Sequence, residues 1–291
     1  MTLKLWRALN NPPATHPIFV RTVLLPRDGK RQSISSVRIL IGFIVSMSEF
    51  MPTLLIFLMP ILLAGCGLVY GLDCAIRVSQ VITFERKNNT YELLALCPQG
   101  ALAVCWVMCT SSLYQQEYFR RLHEIVRTSV QIALVVIGVL LVLVLCFSSS
   151  LIVSSSRMVL PILIPLANFG AVAILIYSEY VQSTVIGCLI GLVIPTFTNT
   201  TLEPFFYAPV IFLLIKIGTY ATSVVVGFNL LDGIYQQLGL QSSLTDILLS
   251  LMRLAVIVGI QDGIIRLLWW IVLRRTDTLP QNALLVLYPQ G

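Results

Sequence analysis

The sequence predicts an all-α fold: a polytopic α-helical membrane protein with six transmembrane helices, seven being the alternative count. Three observations predict it. Hydrophobic residues fill 57% of the 291 positions and charged residues only 11%, where a soluble domain carries about 25% charge. Positions 128–156 hold no charged side chain, and other apolar runs approach the roughly 20 residues that carry a helix across the hydrocarbon layer. These runs are continuous rather than alternating, which excludes a barrel. Backbone amides cannot stay unpaired in lipid, so helices remain.

Residues 1–36 read as a basic cytoplasmic or interfacial arm. The first 38 positions hold seven basic side chains and one acidic one, with turn signals at Asn11-Pro12-Pro13 and around Pro26. That is far longer than the charged region of a signal peptide. The excess of positive charge places the arm in the cytoplasm, where anionic lipid attracts it. Within it, residues 18–23 suit an amphipathic segment lying in the interface.

Residues 37–80 read as a first helical hairpin, with helices near 37–58 and 61–80 turning close to Pro60, because one straight helix would overrun the bilayer. Residues 81–127 read as cytoplasmic. They end in an amphipathic helix at 115–127, where Glu117 and Arg121, and Arg120 and Glu124, are oppositely charged pairs four apart. Residues 128–275 supply the remaining spans, near 128–149, 158–178, 182–199, 205–229 and 249–273. Serines mark a loop at 148–156, and polar links fall at 196–203 and 231–246. Residues 276–291 are a C-terminal tail. Arg274 and Arg275 favour the cytoplasm, as the arm does, so an even count fits both ends. The short 182–199 or the broken 37–58 is then half-length, re-entrant or merged with a neighbour.

Ionisable residues inside apolar runs are costly and often functional. Glu49, Asp73, Glu179, Lys216, Asp262 and Arg266 are the candidate intramembrane polar sites. Lys216 lies deepest within its span and calls for an acid on a neighbouring helix. Asp262 and Arg266, four apart, share a helix face and neutralise each other. Trp269 and Trp270, just before Arg274, suit an interfacial anchor. The spacings Gly67/Gly71 and Gly187/Gly191 permit close helix crossing. The seven cysteines are odd in number and mostly in apolar context, so they read as small buried hydrophobes. A zinc site at Cys105 and Cys109 needs further ligands, and only Cys97 and His123 stand near in sequence.

The hydrophilic middle carries the most specific pattern. A helix leaves the apolar zone through Ile82, Glu85 and Arg86 and ends near Asn88-Asn89. Thr90 can cap a second, short helix. Leu93, Leu94 and Leu96 give that helix an apolar side beside Glu92, and Pro98 and Gly100 stop it. Such a helix fits a groove on a partner. These residues resemble the integral-membrane permease subunit of ABC-2 type transporters, which has an Ile-x-x-Glu-Arg motif, then Gly-Thr-x-Glu-x-Leu and a proline-ended turn. Asn89 stands where that family has glycine, and the turn after Pro98 lacks its lysine. The resemblance implies a cytoplasmic coupling helix. Glu85, Arg86, Thr90, Glu92, Leu93, Leu94 and Pro98 would there contact a cytoplasmic ATPase subunit. It also implies that ATP is bound by that partner, that the permease works as a homo- or heterodimer, and that the chain lies in the plasma (inner) membrane with its N-terminus cytoplasmic.

No phosphate-binding glycine loop is present, so this chain is expected to hold no cofactor of its own. A nucleic-acid role is a poor fit to charge concentrated in one arm. No pair of histidines, no Asp pair on one helix and no Ser-His set suggests an enzyme. The expected function is the permease subunit of an ATP-driven exporter in contact with membrane lipids. The alternatives are a structural or assembly subunit of a larger membrane complex, an intramembrane enzyme, and a secondary transporter.

Overall fold

The computed structural model describes residues 1–12, 19–20, 52–88, 100–115, 156–197, 203–237, 243–276 and 278, with scattered positions between 124 and 142. Its described elements are helical: α1 (Thr2–Asn10), α2 (Pro52–Lys87), α3 (Gly100–Tyr114), α4 (Ser156–Val193), α5 (Glu203–Val224), α6 (Leu231–Gln237) and α7 (Ser243–Arg275). A short 3-10 turn, Ile194–Thr196, ends α4, and a π-helical turn, Val225–Leu230, joins α5 to α6. Among the described residues, three stretches are long and apolar enough to cross a membrane: Gly170–Thr196, Glu203–Gln237 and Leu248–Arg275.

The core is the crossing of α2 and α4, which run in the same direction. Glycines make it. A Cβ at Gly71 would lie 2.5 Å from the Ser183 carbonyl oxygen, and one at Gly187 would collide with the Gly71 carbonyl. Further along, a Cβ at Gly191 would come 2.6 Å from the Val78 Cβ. The backbones touch because no side chain stands between them. The glycine spacings read from the sequence therefore meet each other within one chain. α5 runs back antiparallel to α2, with Phe212 beside Gly71 and the Ser79 hydroxyl near the Pro204 carbonyl. α7 then lies along α4.

Four expectations change. The hairpin at Pro60 is replaced by one unbroken helix of 36 residues, about 54 Å long at 1.5 Å per residue. Proline removes one hydrogen bond but does not end an apolar helix whose neighbours take up the loss. The expected spans 158–178 and 182–199 are a single helix of 38 residues. Within the region read as cytoplasmic, α3 is instead a buried apolar helix: Leu102 to Leu113 are all buried, and Trp106 meets Trp269 edge to face at 6.1 Å. Trp269 is thus an interior residue, while Trp270 stays exposed under the Arg274 guanidinium. Lastly, the start of the basic arm is a helix packed into the bundle. Leu5, Trp6, Ala8 and Leu9 of α1 are buried, with Trp6 edge-on to Tyr180 at 5.6 Å. Of the segment 18–23, only Phe19 and Val20 are described, both helical.

Candidate functional site at a buried carboxylate

Glu179 sits on α4 one turn before Ser183, and Lys216 sits on α5 one turn before Tyr220. Each pair shares a helix face at a four-residue spacing, and the two faces meet. One carboxylate oxygen of Glu179 accepts from Lys216 Nζ at 2.6 Å, Ser183 Oγ at 2.7 Å and Tyr220 OH at 2.7 Å. The other accepts from Gln261 Nε2 of α7 at 2.7 Å. Lys216 is 1% exposed, and Glu179, Ser183 and Gln261 are also buried. The Gln182 amide reaches the Val258 carbonyl at 3.2 Å, a second polar tie between α4 and α7. One carboxylate thus fastens three helices. A buried charge survives only with a partner and filled hydrogen bonds, and here both conditions hold.

The other expected polar sites divide. Asp262 and Arg266 pair at 2.8 Å, as their spacing predicts. Asp262 also accepts from the Thr2 hydroxyl at 2.6 Å and the Thr2 amide at 3.1 Å, so it caps α1 from across the bundle. Asp73 pairs with Arg77 on its own helix at 2.7 Å. Arg253 reaches Asp232 at 2.5 Å and the Gly227 carbonyl at 3.2 Å, inside the π-helical turn. π-turns leave carbonyls without their usual partner, and the guanidinium supplies one. Glu49 lies outside the described residues.

Of the expected partner-coupling residues, Glu85 and Arg86 close α2. The Arg86 guanidinium donates to the Pro195 carbonyl at the 3-10 turn that ends α4. Arg86 and Arg275 line one small pocket with Thr196 and Thr276, and Arg275 lies 4.1 Å over the Phe197 ring. The ends of α2, α4 and α7 therefore gather around arginine. Thr90, Glu92, Leu93, Leu94 and Pro98 lie outside the described residues.

Cys74, Cys105, Cys109 and Cys188 are buried, the small core residues their context predicts. Among the described residues, no group of three or more His, Cys, Asp or Glu side chains is arranged to hold a metal. Sequence reasoning missed the grouping of Ser183, Tyr220 and Gln261 around Glu179. The available signal was the pair of four-residue spacings, Glu179/Ser183 and Lys216/Tyr220, in otherwise apolar helices. Comparison with known proteins finds no match, whether to family models, curated proteins or solved structures.

Proposed function

We propose that this chain is an integral membrane permease subunit, driven by a separate ATPase that docks beyond the end of α2. The observation that carries the proposal is the route from that end to the buried carboxylate. α2 is one rigid helix from Pro52 to Lys87. At its end Arg86 is bonded to the turn that closes α4, and along its length its glycines lock it to α4. A push on the segment after Lys87 is passed to α4, which holds Glu179 and hence α5 and α7. The resemblance of Ile82, Glu85, Arg86, Thr90, Glu92, Leu93, Leu94 and Pro98 to the ABC-2 coupling region supplies the pushing partner. The arginines at the shared end of α2 and α7 support a cytoplasmic placement for that end. Six spans, export as the direction, and pairing of two permease subunits belong to the same proposal.

The test is affinity purification in mild detergent with identification of what co-purifies, followed by Glu85→Ala and Glu92→Ala. A stoichiometric ATPase, whose stimulation is lost in either variant while the chain stays folded, supports the reading. Co-purification of other membrane subunits without an ATPase replaces it with the assembly-subunit reading.

A further inference from the structure

Among the described residues, four cations on the packed helices face a carboxylate. Arg77, Lys216, Arg253 and Arg266 each have one within 2.5 to 2.8 Å. Arg7 and Arg127 differ. Among the described residues neither has an ion-pair partner, yet both line one open cleft of about 580 Å³, together with Asn10, Asn11, Gln131 and Tyr177. No acidic side chain is among the described residues of that lining.

The cleft is built rather than incidental. Burial of Leu5, Trp6 and Leu9 fixes α1 and leaves Arg7 on its outer side. The Tyr114 hydroxyl donates to the Asn10 carbonyl at 2.8 Å, which holds the end of α1 at the rim. Trp6 forms part of the wall and is itself held by Tyr180. Two guanidinium forks, beside three amide side chains that can also donate, match the oxygens of a phosphate group. Exposed guanidinium groups lining one cleft raise the local positive potential and attract an anion.

The neighbouring surface indicates which phosphate. Arg127 and Gln131 are helical, and the described helical positions after them include the apolar Ile132, Val135, Val139 and Val142, each more than half exposed. A charged end followed by an apolar face is the outline of a phospholipid: headgroup at the arginines, acyl chains along the valines.

We propose that the cleft between α1 and Tyr177 binds the phosphate of an anionic phospholipid through Arg7 and Arg127. This rests on the membrane placement proposed above and not on transport, so it can be tested without an ATPase.

The experiment first records whether the full chain leaves the membrane only with detergent. The purified chain is then placed in nanodiscs of phosphatidylcholine with increasing phosphatidylglycerol, and bound lipid is read by native mass spectrometry. The expected result is selective retention of phosphatidylglycerol. Affinity falls about fivefold in Arg7→Gln or Arg127→Gln and about twenty-five-fold in the double variant, from roughly 1 kcal/mol per basic residue. Arg266→Gln, which removes an exposed but paired cation, leaves retention unchanged and controls for net charge. Size-exclusion profile and melting temperature establish that the variants fold. Displacement of the lipid by millimolar inorganic phosphate would reassign the site to free phosphate. Equal phosphatidylglycerol retention by wild type and double variant overturns the proposal. Chain released without detergent would instead overturn the membrane placement.

Discussion

α4 and α5 are both apolar and long enough to cross a membrane, yet they are held in different ways. In the stretch Gly170–Thr196 of α4 an apolar 18-residue window has 72% of its positions buried, whereas the corresponding window of Glu203–Gln237, α5 and its continuation, has 28%. α4 lies at the centre and touches α2 through glycines, backbone on backbone. α5 buries only Pro204, Ala208, Phe212, Lys216, Thr219 and Ser223, a single stripe at three- and four-residue spacing. Its outer face is Phe206, Leu214, Ile217 and their neighbours, all exposed. The α2–α4 contact is steric and tolerates no added atom. α5 adds to its thin apolar stripe an ion pair, Lys216 to Glu179. A helix fastened at few points can move when its fastening changes, while a helix locked along its length moves only with its neighbour.

The largest effect expected from breaking this contrast is at the glycine contact. Gly187→Leu puts a side chain where the Gly71 carbonyl already sits. Neither side can yield, since the added Cβ is fixed by its own helix backbone and the atom it meets is the backbone carbonyl of Gly71, so the cost exceeds the usual 1–3 kcal/mol of overpacking. The variant should fail to accumulate as a monodisperse species on size exclusion. Recovery of normal yield with Gly187→Leu would mean that α2 and α4 are not locked as described.

The ion pair comes next. Lys216→Met leaves Glu179 buried with one hydrogen-bonded charge missing, and breaking a buried pair costs about 3–5 kcal/mol. Removing both charges with Lys216→Met and Glu179→Gln should restore most of that, since the glutamine carbonyl can still accept from Ser183, Tyr220 or Gln261. The readout is denaturation in mixed micelles, as a double-mutant cycle. A double variant as unstable as the single would show that the pair is not the link between α4 and α5. Arg253→Gln should cost less, about 1–3 kcal/mol for a part-exposed charged hydrogen bond. Its effect should be confined to the π-helical turn and α6, visible as faster amide exchange there.

How much of this was legible in the sequence follows from where each partner lies. The Asp262–Arg266 pair could be read because its members are four residues apart on one helix. The last span, expected at 249–273, is α7 at Ser243–Arg275, since a long charge-poor run ending in two arginines has one reading. The expected spans 158–178 and 182–199 leave Glu179 between them. A buried glutamate looks like an interruption until Lys216, 37 positions on, is placed beside it. Pro60 was read as a turn because local preference is visible and packing is not. α3 was hidden by length: its 15 residues carry no charge, but they fall short of a full crossing, and the charged motif before them suggested an aqueous setting. The glycine spacings were visible, but not that they meet each other within one chain.

The smallest effect expected sharpens the comparison from the other side. Arg266 pairs with Asp262 at 2.8 Å, like Lys216 with Glu179 at 2.6 Å, but its side chain is 69% exposed where that of Lys216 is 1% exposed. Distance alone would rank the two pairs together, whereas solvent separates them. An exposed pair contributes about 0–1 kcal/mol, and Asp262 keeps its two bonds to Thr2 when Arg266 is gone. Arg266→Gln should therefore shift the denaturation midpoint only slightly and leave α1 in place, as judged by protection of a cysteine introduced at Leu5. Removing the carboxylate instead, by Asp262→Ala, strips the cap from α1, and the same cysteine should become reactive. If Arg266→Gln proved as damaging as Lys216→Met, burial would not be what gives the Glu179 site its strength, and the distinction between the firmly locked and the lightly fastened helix would lose its physical basis.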